Sequence, residues 1–269
     1  MPTWQAITKT RHLHAGWQKF TDYNFARAEP LAPLLMAELT QALAYYPLGF
    51  IKNADQGYQL VALQSLNPGL NLYVNQQGKW LAPYVPSYYR SYPFRLIANT
   101  AQDYQLTLCF DADSGLVHEK ALPDDVALFT PDGAMSAPMQ ALMDFLNQCE
   151  VNRQATQGLV NQLAEHQLLH PWPVKLQSGE QTPDPGDQLN LLQGLYKIDE
   201  AALKSLDPQV LSTLAQSGAL ALAYGQLFSQ TRLQDFKRRY QHYEQQQSAA
   251  PSKVDLDQLF NKGDDLLRF

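Results

Sequence analysis

Tyrosine side chains are concentrated in one short segment, residues 84–94, which contains four tyrosines, one arginine and two prolines. Linkers and disordered tails are poor in large aromatic side chains, because water disfavours the surface of the rings. Pro86 suits the first position of a short helix, and Pro93 stops it. The segment is therefore predicted to pack against the rest of the protein as a short helical turn.

Five side chains of this segment form the candidate binding surface: Tyr84, Tyr88, Tyr89, Arg90 and Tyr92. Phenol rings beside a guanidinium group can line a groove for a peptide or an aromatic ligand, through stacking, cation–π contacts and directed hydrogen bonds. Alternatively, the aromatic turn closes one end of a sheet and bonds its hydroxyl groups to the backbone. The residue types alone leave both interpretations open.

Two histidine pairs offer ligands for a metal ion. His166 and His170 lie four apart on a predicted helix, but no third ligand is nearby, and the last turn of a helix favours positive charge. His12 and His14 would share one face of a strand, and nothing close to them completes a site. Residues 111–115 imitate the start of a calcium loop but lack its later ligands, so a plain turn is predicted there. No metal site is predicted.

Sequence motifs of the common enzyme classes are missing. The chain has no Gly-x-Ser-x-Gly elbow, no Walker loop, no Gly-x-Gly-x-x-Gly and no Cys-x-x-Cys. Its two cysteines, Cys109 and Cys149, lie far apart and are predicted to be buried free thiols. No catalytic residue and no cofactor are predicted. The alternative is an enzyme of an unrecognised kind that uses the histidines on a peptide or an aromatic substrate.

The composition is that of a globular protein, with 45% hydrophobic and 17% charged residues. A formal net charge of −6 argues against a nucleic-acid partner, which would require a basic surface. The first residues lack the apolar core of a signal peptide, and no apolar run approaches the roughly 20 residues that cross a bilayer. A cytoplasmic protein without membrane insertion is expected.

The elements that must position the aromatic segment are strands and helices in the first half of the chain. Apolar spacing predicts a helix over residues 30–46. Three apolar extended runs, each followed by a polar turn with a glycine and a second extended run, predict β-hairpins. They cover residues 48–63 with a turn at 53–57, residues 70–81 with a turn at 75–78, and residues 104–120 with a turn at 111–115.

The second half of the chain has helical patterns. Apolar spacing predicts helices over residues 138–148, 153–169 and 230–247. Asp199 and Asp207 are predicted to begin two further helices, and Gly218 to end the second of these. Residues 177–187 are predicted to be an exposed loop, and residues 189–198 a strand.

These elements predict an α+β fold, in which an antiparallel sheet built from hairpins is flanked by helices. Residues 1–247 are expected to form one domain that is β-rich over 1–133 and helix-rich over 134–247. Residues 248–269 are expected to be a flexible linker and a short apolar tail.

The order of several motifs resembles that of the SapC-like family, named after a surface-layer-associated protein. The resemblance spans roughly residues 10 to 235, and its sharpest element is the aromatic segment. The motifs lie at residues 23–26 (Tyr-Asn-Phe-Ala), 46–50 (Tyr-Pro-Leu-Gly-Phe), 71–80, 84–94, 128–133 and 192–200.

The resemblance implies no catalytic residues, and the family name suggests surface-layer biogenesis. Relatives also resemble members of gene neighbourhoods that hold flavin-dependent halogenase-like proteins, cupin-like proteins and outer-membrane receptors. This implies a non-catalytic binding or adaptor protein that presents a peptide or protein to partner enzymes or to the envelope. A surface-layer assembly or secretion factor is the second hypothesis.

Overall fold

The computed structural model describes residues 2–53, 56–99, 105–174 and 192–248. Its strands are β1 Trp4–Ala6, β2 Gly16–Trp17, β3 Leu31–Pro33, β4 Leu48–Lys52, β5 Tyr58–Leu63, β6 Phe94–Asn99, β7 Gln105–Asp111, β8 Val117–His118, β9 Val126–Ala127, β10 Leu169–Pro171 and β11 Leu195–Ile198. Its α-helices are α1 Lys9–His12, α2 Leu39–Ala42, α3 Ser87–Arg90, α4 Ala137–Glu165, α5 Glu200–Lys204, α6 Pro208–Ser217, α7 Ala219–Ser229 and α8 Leu233–Ser248.

The strands of the described residues form three antiparallel sheets. The largest has the order β10-β11-β4-β5-β3, a second has the order β1-β7-β6, and a small third has the order β8-β2-β9. Helices α4 and α7 pack against the largest sheet. The predicted α+β class, with antiparallel sheets and a more helical C-terminal half, is therefore confirmed.

The first predicted hairpin is confirmed, and the second is reduced to a turn. Strands β4 and β5 pair from Leu48↔Ala62 to Lys52↔Tyr58. The predicted turn between them includes residues 54 and 55, which lie outside the described part. In the second segment a single bridge joins Val74 to Trp80 across the turn.

The third predicted hairpin is wrong. Strand β7 pairs with β1 on one edge and with β6 on the other, so neither edge is left for the following strand. A 3-10 turn over Ala112–Ser114, capped by the Asp111 side chain and followed by Gly115 at φ 66°, redirects the chain. Strand β8 then pairs with β2 in a different sheet.

The predicted helix over residues 30–46 is wrong in its first part. Leu31–Pro33 forms the edge strand β3, in register with Leu63, Ala62 and Val61 of β5. A proline inside a helix removes a backbone hydrogen bond and clashes with the preceding turn, whereas an edge strand tolerates it. The helical part is confined to a 3-10 turn, Met36–Glu38, and to α2.

The two helices predicted over residues 138–148 and 153–169 are one continuous helix, α4, which begins at the Ser136 N-cap. Its predicted end at residue 169 is wrong, because Gln167 adopts φ 55° and Leu169 starts β10. The predicted strand over residues 189–198 is observed only over its last four residues, as β11; it is wrong over residues 192–194, where Gly194 adopts φ 76°, and residues 189–191 lie outside the described part. So does the predicted loop over residues 177–187.

The predicted caps in the C-terminal half are confirmed. The Asp199 side chain accepts a hydrogen bond from Ala202 N at the start of α5, and that of Asp207 accepts one from Gln209 N at the start of α6. Gly218 ends α6 at φ 93°. The helix predicted over residues 230–247 is observed as a 3-10 turn, Gln230–Arg232, followed by α8.

Within the described residues, two clusters of buried side chains form the core, and α4 contributes to both. Met139 and Leu146 in its first half belong to the smaller cluster, with Trp17, Phe94 and Phe110. Val160 and Leu163 in its second half belong to the larger cluster, which covers the five-stranded sheet. The aromatic segment also joins the clusters, because Tyr89 lies in the larger one and Phe94 in the smaller one.

Candidate functional site

The aromatic segment is fixed in place by one buried carboxylate, Glu38. Its Oε1 accepts hydrogen bonds from the Tyr84 hydroxyl at 2.5 Å and from Ser87 N at 2.7 Å. Its Oε2 accepts from Ser87 Oγ at 2.7 Å and from Leu35 N at 3.1 Å. One side chain therefore satisfies the start of α3 and ties it to the loop before α2.

The backbone before α3 is held by two further aromatic side chains. The Tyr84 carbonyl oxygen accepts a hydrogen bond from the Tyr46 hydroxyl and one from Trp80 Nε1 at 3.2 Å. Tyr46 is fully buried, and its burial raises the pKa of its phenol. Neutral phenol hydroxyls thus serve here as buried hydrogen-bond donors.

Tyr89 is part of the core. It is 2% exposed, and its hydroxyl donates to Gln64 Oε1 at 2.7 Å. Its ring contacts Trp80, with centroids 5.3 Å apart, and burial raises its pKa. The interpretation of this turn as a packing element therefore describes Tyr89 well, except that the hydroxyl bonds to a side chain instead of the backbone.

Tyr88 is half-buried at the edge of the larger core cluster, next to Arg95 of β6. Its ring stands edge-on to that of Tyr89, with centroids 5.1 Å apart. The guanidinium carbon of Arg95 lies 4.1 Å from the centroid of Tyr88 and 4.9 Å from that of Trp4. The arginine side chain thus makes cation–π contacts with two rings from different parts of the chain.

Tyr92 stacks on Phe25, with ring centroids 3.8 Å apart and an angle of 6° between the planes. Its hydroxyl donates to Asp111 Oδ2 at 3.2 Å. Partial burial, followed by the negative charge of Asp111, raises the pKa of Tyr92 to about 12. The phenol therefore stays neutral and keeps donating to Asp111 well above neutral pH.

Arg90 is exposed and bonds within its own turn. Its Nε and one terminal nitrogen donate to the Val85 carbonyl oxygen at 3.0 and 2.8 Å. Its guanidinium carbon lies 4.9 Å from the centroid of the Tyr84 ring. Arg90 therefore braces the turn from its exposed side, and the roles of Arg90 and Tyr84 in binding stay predictions.

Two cavities flank Tyr88 and Arg95, and these two residues line both. The first, here called the helix cavity, has a volume of about 270 Å³ and lies between α4, the largest sheet and α3. Its wall includes apolar side chains, a thiol and an ion pair: Leu60, Leu146, Val160, Cys149, Glu150 and Arg153. Glu150 and Arg153 approach to 2.7 Å, so their charges are paired.

The second cavity, here called the aromatic cavity, has a volume of about 490 Å³. Tyr88, Tyr89 and Tyr92 of the sequence-predicted surface line it, together with Trp4 and Phe25. Three carboxylates, those of Glu29, Asp111 and Asp113, also line it. The structure therefore brings three of the five predicted residues to one cavity, while Tyr84 and Arg90 line neither.

Sequence reasoning missed Arg95 and Trp4 as residues of this site. Arg95 follows Phe94 in β6, and side chains alternate between the two faces of a strand. Because Phe94 is buried, this alternation would have directed Arg95 to the opposite face. Trp4 carried no comparable signal, since β1 reaches the site only through its pairing with β7.

The histidines do not form the pairs that the sequence suggested. His166 caps the end of α4, whereas His170 lies in β10, so the prediction of both in one helical turn is wrong. His12 ends helix α1 and is buried, so it does not share a strand face with His14. Within the described residues, no three His, Cys, Asp or Glu side chains are grouped to hold a metal ion.

Cys109 is buried, as predicted, and Cys149 is half-buried in the wall of the helix cavity. Burial raises the pKa of the Cys149 thiol above its ordinary value. A thiol is a weak nucleophile until it loses its proton. The arrangement therefore favours a packing role for Cys149.

The described part of the chain defines an α+β protein with two cavities on either side of an aromatic turn, and none of its helices is long and apolar enough to cross a membrane. The family model for SapC matches residues 7–236. The chain therefore belongs to the SapC family. No curated protein and no solved structure is significantly similar to it.

Proposed function

We propose that the protein is a non-catalytic binding module that holds a peptide segment of a partner across the helix cavity and the aromatic cavity. The observation that carries the proposal is that Tyr88 and Arg95 form a wall common to both cavities. A peptide lying over this wall places neighbouring side chains in two adjacent cavities, which is how extended segments are commonly recognised.

The sizes of the cavities support a peptide. Sites for compact drug-sized ligands usually measure about 300–1,000 Å³ in one piece. Here the space is divided into about 270 and about 490 Å³. The helix cavity is smaller than this range and suits one or two side chains, whereas the aromatic cavity lies within it; a ligand that fills both must cross Tyr88.

The groups around the cavities favour binding over catalysis. None of the six histidines, all of which lie in the described part of the chain, lines either cavity, and Glu150 is paired with Arg153. The pKa of the Cys149 thiol is raised by burial, which keeps it protonated and unreactive at neutral pH. A nucleophile with a base to activate it is the usual requirement of covalent catalysis.

The bound peptide is proposed to be presented by this module, as an adaptor, to a partner enzyme of the halogenase-like or cupin-like kind in the cytoplasm. The support is the resemblance described above, together with membership of the SapC family. A role in surface-layer assembly or secretion is the alternative for the same binding surface. Cell fractionation separates the two, since the alternative predicts association with an exported protein at the envelope.

Selection from a displayed library of random peptides on the immobilised protein tests the binding function. Affinities of selected peptides are then measured by fluorescence polarisation. Tyr88→Ala is expected to weaken them at least about tenfold, because an aromatic anchor at the centre of an interface carries much of its affinity. Phe228→Ala is the control, since Phe228 is 66% exposed on α7 and lines neither cavity.

Tyr88→Leu is a second variant that retains apolar contact if Tyr88→Ala fails to fold. Circular dichroism reports whether each variant is folded. A folded Tyr88→Ala or Tyr88→Leu protein that binds the selected peptides as tightly as the wild type would overturn the proposed site, because both variants lack the aromatic ring. Equal losses in the Tyr88 and Phe228 variants would do the same, because they would not locate binding at the cavities.

A further inference from the structure

We propose that the aromatic cavity receives a cationic side chain, lysine or arginine, of the bound peptide. This inference rests on the proposed function and specifies the ligand class of one of its two cavities. Three observations lead to it: the rings of the cavity, its carboxylates, and the position of Arg95.

The rings of the aromatic cavity can hold a cation. The faces of Trp, Tyr and Phe rings carry partial negative charge and attract ammonium and guanidinium groups. Trp4 and Tyr88 already do so, since the Arg95 guanidinium carbon lies within 4.9 and 4.1 Å of their centroids. The stacked pair of Phe25 and Tyr92 adds two further rings to the wall of the same cavity.

The carboxylates make the cavity negative. Glu29, Asp111 and Asp113 line it, against the single guanidinium group of Arg95 among the described lining residues. The raised pKa of Tyr92 agrees with a negatively charged cavity, because the charges of Asp111 and Asp113 both disfavour the ionised form of the Tyr92 phenol. Glu29 acts in the same direction on Tyr88 and Tyr89. A cationic side chain entering the cavity therefore gains electrostatic attraction as well as contact with the rings.

Arg95 distinguishes the proposed cationic ligand from the alternative, an acidic ligand bound by the Arg95 guanidinium group. Within the described residues Arg95 forms no ion pair with a carboxylate, so its donors could instead bind an acidic ligand. The three carboxylates would repel such a ligand and outnumber the one guanidinium. The two models predict opposite effects of removing the Arg95 charge. Arg95→Gln strengthens binding of a cation and abolishes binding of an anion.

Two of the carboxylates can be neutralised without disturbing the core. Glu29 and Asp113 are exposed at the rim of the cavity. Asp111 is buried and accepts hydrogen bonds from the Tyr92 hydroxyl and from Asp113 N, so it is left unchanged. The double variant Glu29→Gln with Asp113→Asn therefore removes charge and keeps shape. Glu165→Gln is the matched control, because Glu165 is exposed at the end of α4 and lines neither cavity.

The experiment titrates the isotope-labelled full chain with N-acetyl-arginine amide and N-acetyl-lysine amide. The Trp4 indole N–H signal in nuclear magnetic resonance spectra reports occupancy of the cavity. The corresponding glutamine and glutamate amides are the neutral and anionic comparisons. We expect saturable shifts with the cationic probes alone. Affinity should be about tenfold weaker in the double variant, unchanged in Glu165→Gln, and about two- to fivefold stronger in Arg95→Gln.

Binding of the glutamate amide that is lost in Arg95→Gln would overturn the proposal in favour of the anionic ligand. So would equal binding of the glutamine amide, or unchanged cation affinity in the double variant. The failure of the proposed function is distinguishable. If the selected peptides bind through Tyr88 but contain no lysine or arginine, only the inference of a cationic ligand is refuted. If the cationic probes bind but the library yields no binding peptide, only the peptide-binding function is refuted.

Discussion

Glu38 is the residue on which the geometry of the site depends most. It is 5% exposed, and its four hydrogen bonds connect Leu35, Tyr84 and both donors of Ser87. A buried carboxylate is stable only when such donors surround it. Tyr88 is the next residue after Ser87, so the position of the shared wall follows from this carboxylate.

Glu38→Gln is predicted to destabilise the protein by about 2–4 kcal/mol, because an amide NH₂ would face donors where an acceptor oxygen now lies. Urea unfolding followed by tryptophan fluorescence measures the change. The exposed Glu165→Gln change is the control and is expected to stay within about 0.5 kcal/mol of the wild type. An unfolding midpoint for Glu38→Gln equal to that of the control would contradict the role given to this carboxylate.

The raised pKa of Tyr92 predicts how stability depends on alkaline pH. The pKa of Tyr92 in the folded protein is about 12, above the ordinary phenol value of 10.0, so the folded protein holds the phenol proton more tightly than the unfolded chain. The contribution of the Tyr92 phenol to the free energy of unfolding is fully present below pH about 10 and is lost as the pH rises through about 12. Buried Tyr46 and Tyr89 act in the same direction.

Urea midpoints measured across this alkaline range test the prediction. Tyr92→Phe is expected to lose less stability over the range than the wild type, because it lacks one group that ionises more readily when unfolded. The two proteins should lose similar stability between neutral pH and pH about 9. If both proteins lose the same stability as the pH rises through this range, folding does not hold the Tyr92 phenol in its neutral form.

At the scale of elements, the junction of α6 and α7 depends on one glycine. Gly218 adopts φ 93°, a conformation that side chains with a Cβ atom rarely accept, while it ends one helix and precedes the next. Gly158 lies inside α4, and an added Cβ atom would meet nothing within 4 Å. The same substitution is therefore expected to act in opposite directions at the two positions.

Gly218→Ala is predicted to destabilise the protein by about 1 kcal/mol, because alanine is strained at positive φ. Gly158→Ala is predicted to stabilise it by about 0.5–1 kcal/mol, because alanine favours the helix and restricts the unfolded chain. Thermal unfolding of both variants measures the difference. A stabilising Gly218→Ala change would contradict the backbone conformation described for this junction.

Local signals were read correctly from the sequence where they are chemically specific. Helix ends were predictable from three residues: Asp199 and Asp207, whose side chains cap helix starts, and Gly218, which ends a helix at positive φ. The hairpin of β4 and β5 was predictable from the polar, glycine-containing turn between its two apolar runs. Pairing between strands that are not joined by a short turn was not predictable. Strand β7, for example, pairs with β1, which is distant in sequence, as well as with β6. Leu31–Pro33 was misassigned because its apolar spacing suits a helix and an edge strand alike.

The candidate site was also predictable in its local features and not in its long-range contacts. The concentration of tyrosines located three of the residues that line the aromatic cavity. The sequence did not reveal which ring would be buried, because Tyr88 and Tyr89 are adjacent and chemically identical. Their difference comes from partners far along the chain, Gln64 for Tyr89 and Arg95 for Tyr88.

At the scale of the molecule, the cavities lie where the two core clusters meet. Leu146 of the smaller cluster and Val160 of the larger one both line the helix cavity. Phe94 of the smaller cluster and Tyr89 of the larger one both line the aromatic cavity. Division of the chain into one domain over residues 1–247 and a tail stays a prediction.

The central claim is that one peptide occupies both cavities of this SapC-family protein. Nuclear Overhauser effects from a selected peptide to the Trp4 indole and to the Leu146 methyl groups test it most directly, because these side chains line different cavities. The account predicts that a single bound peptide gives effects to both side chains. A peptide that binds tightly and gives effects to only one of these side chains, or to neither, would contradict it.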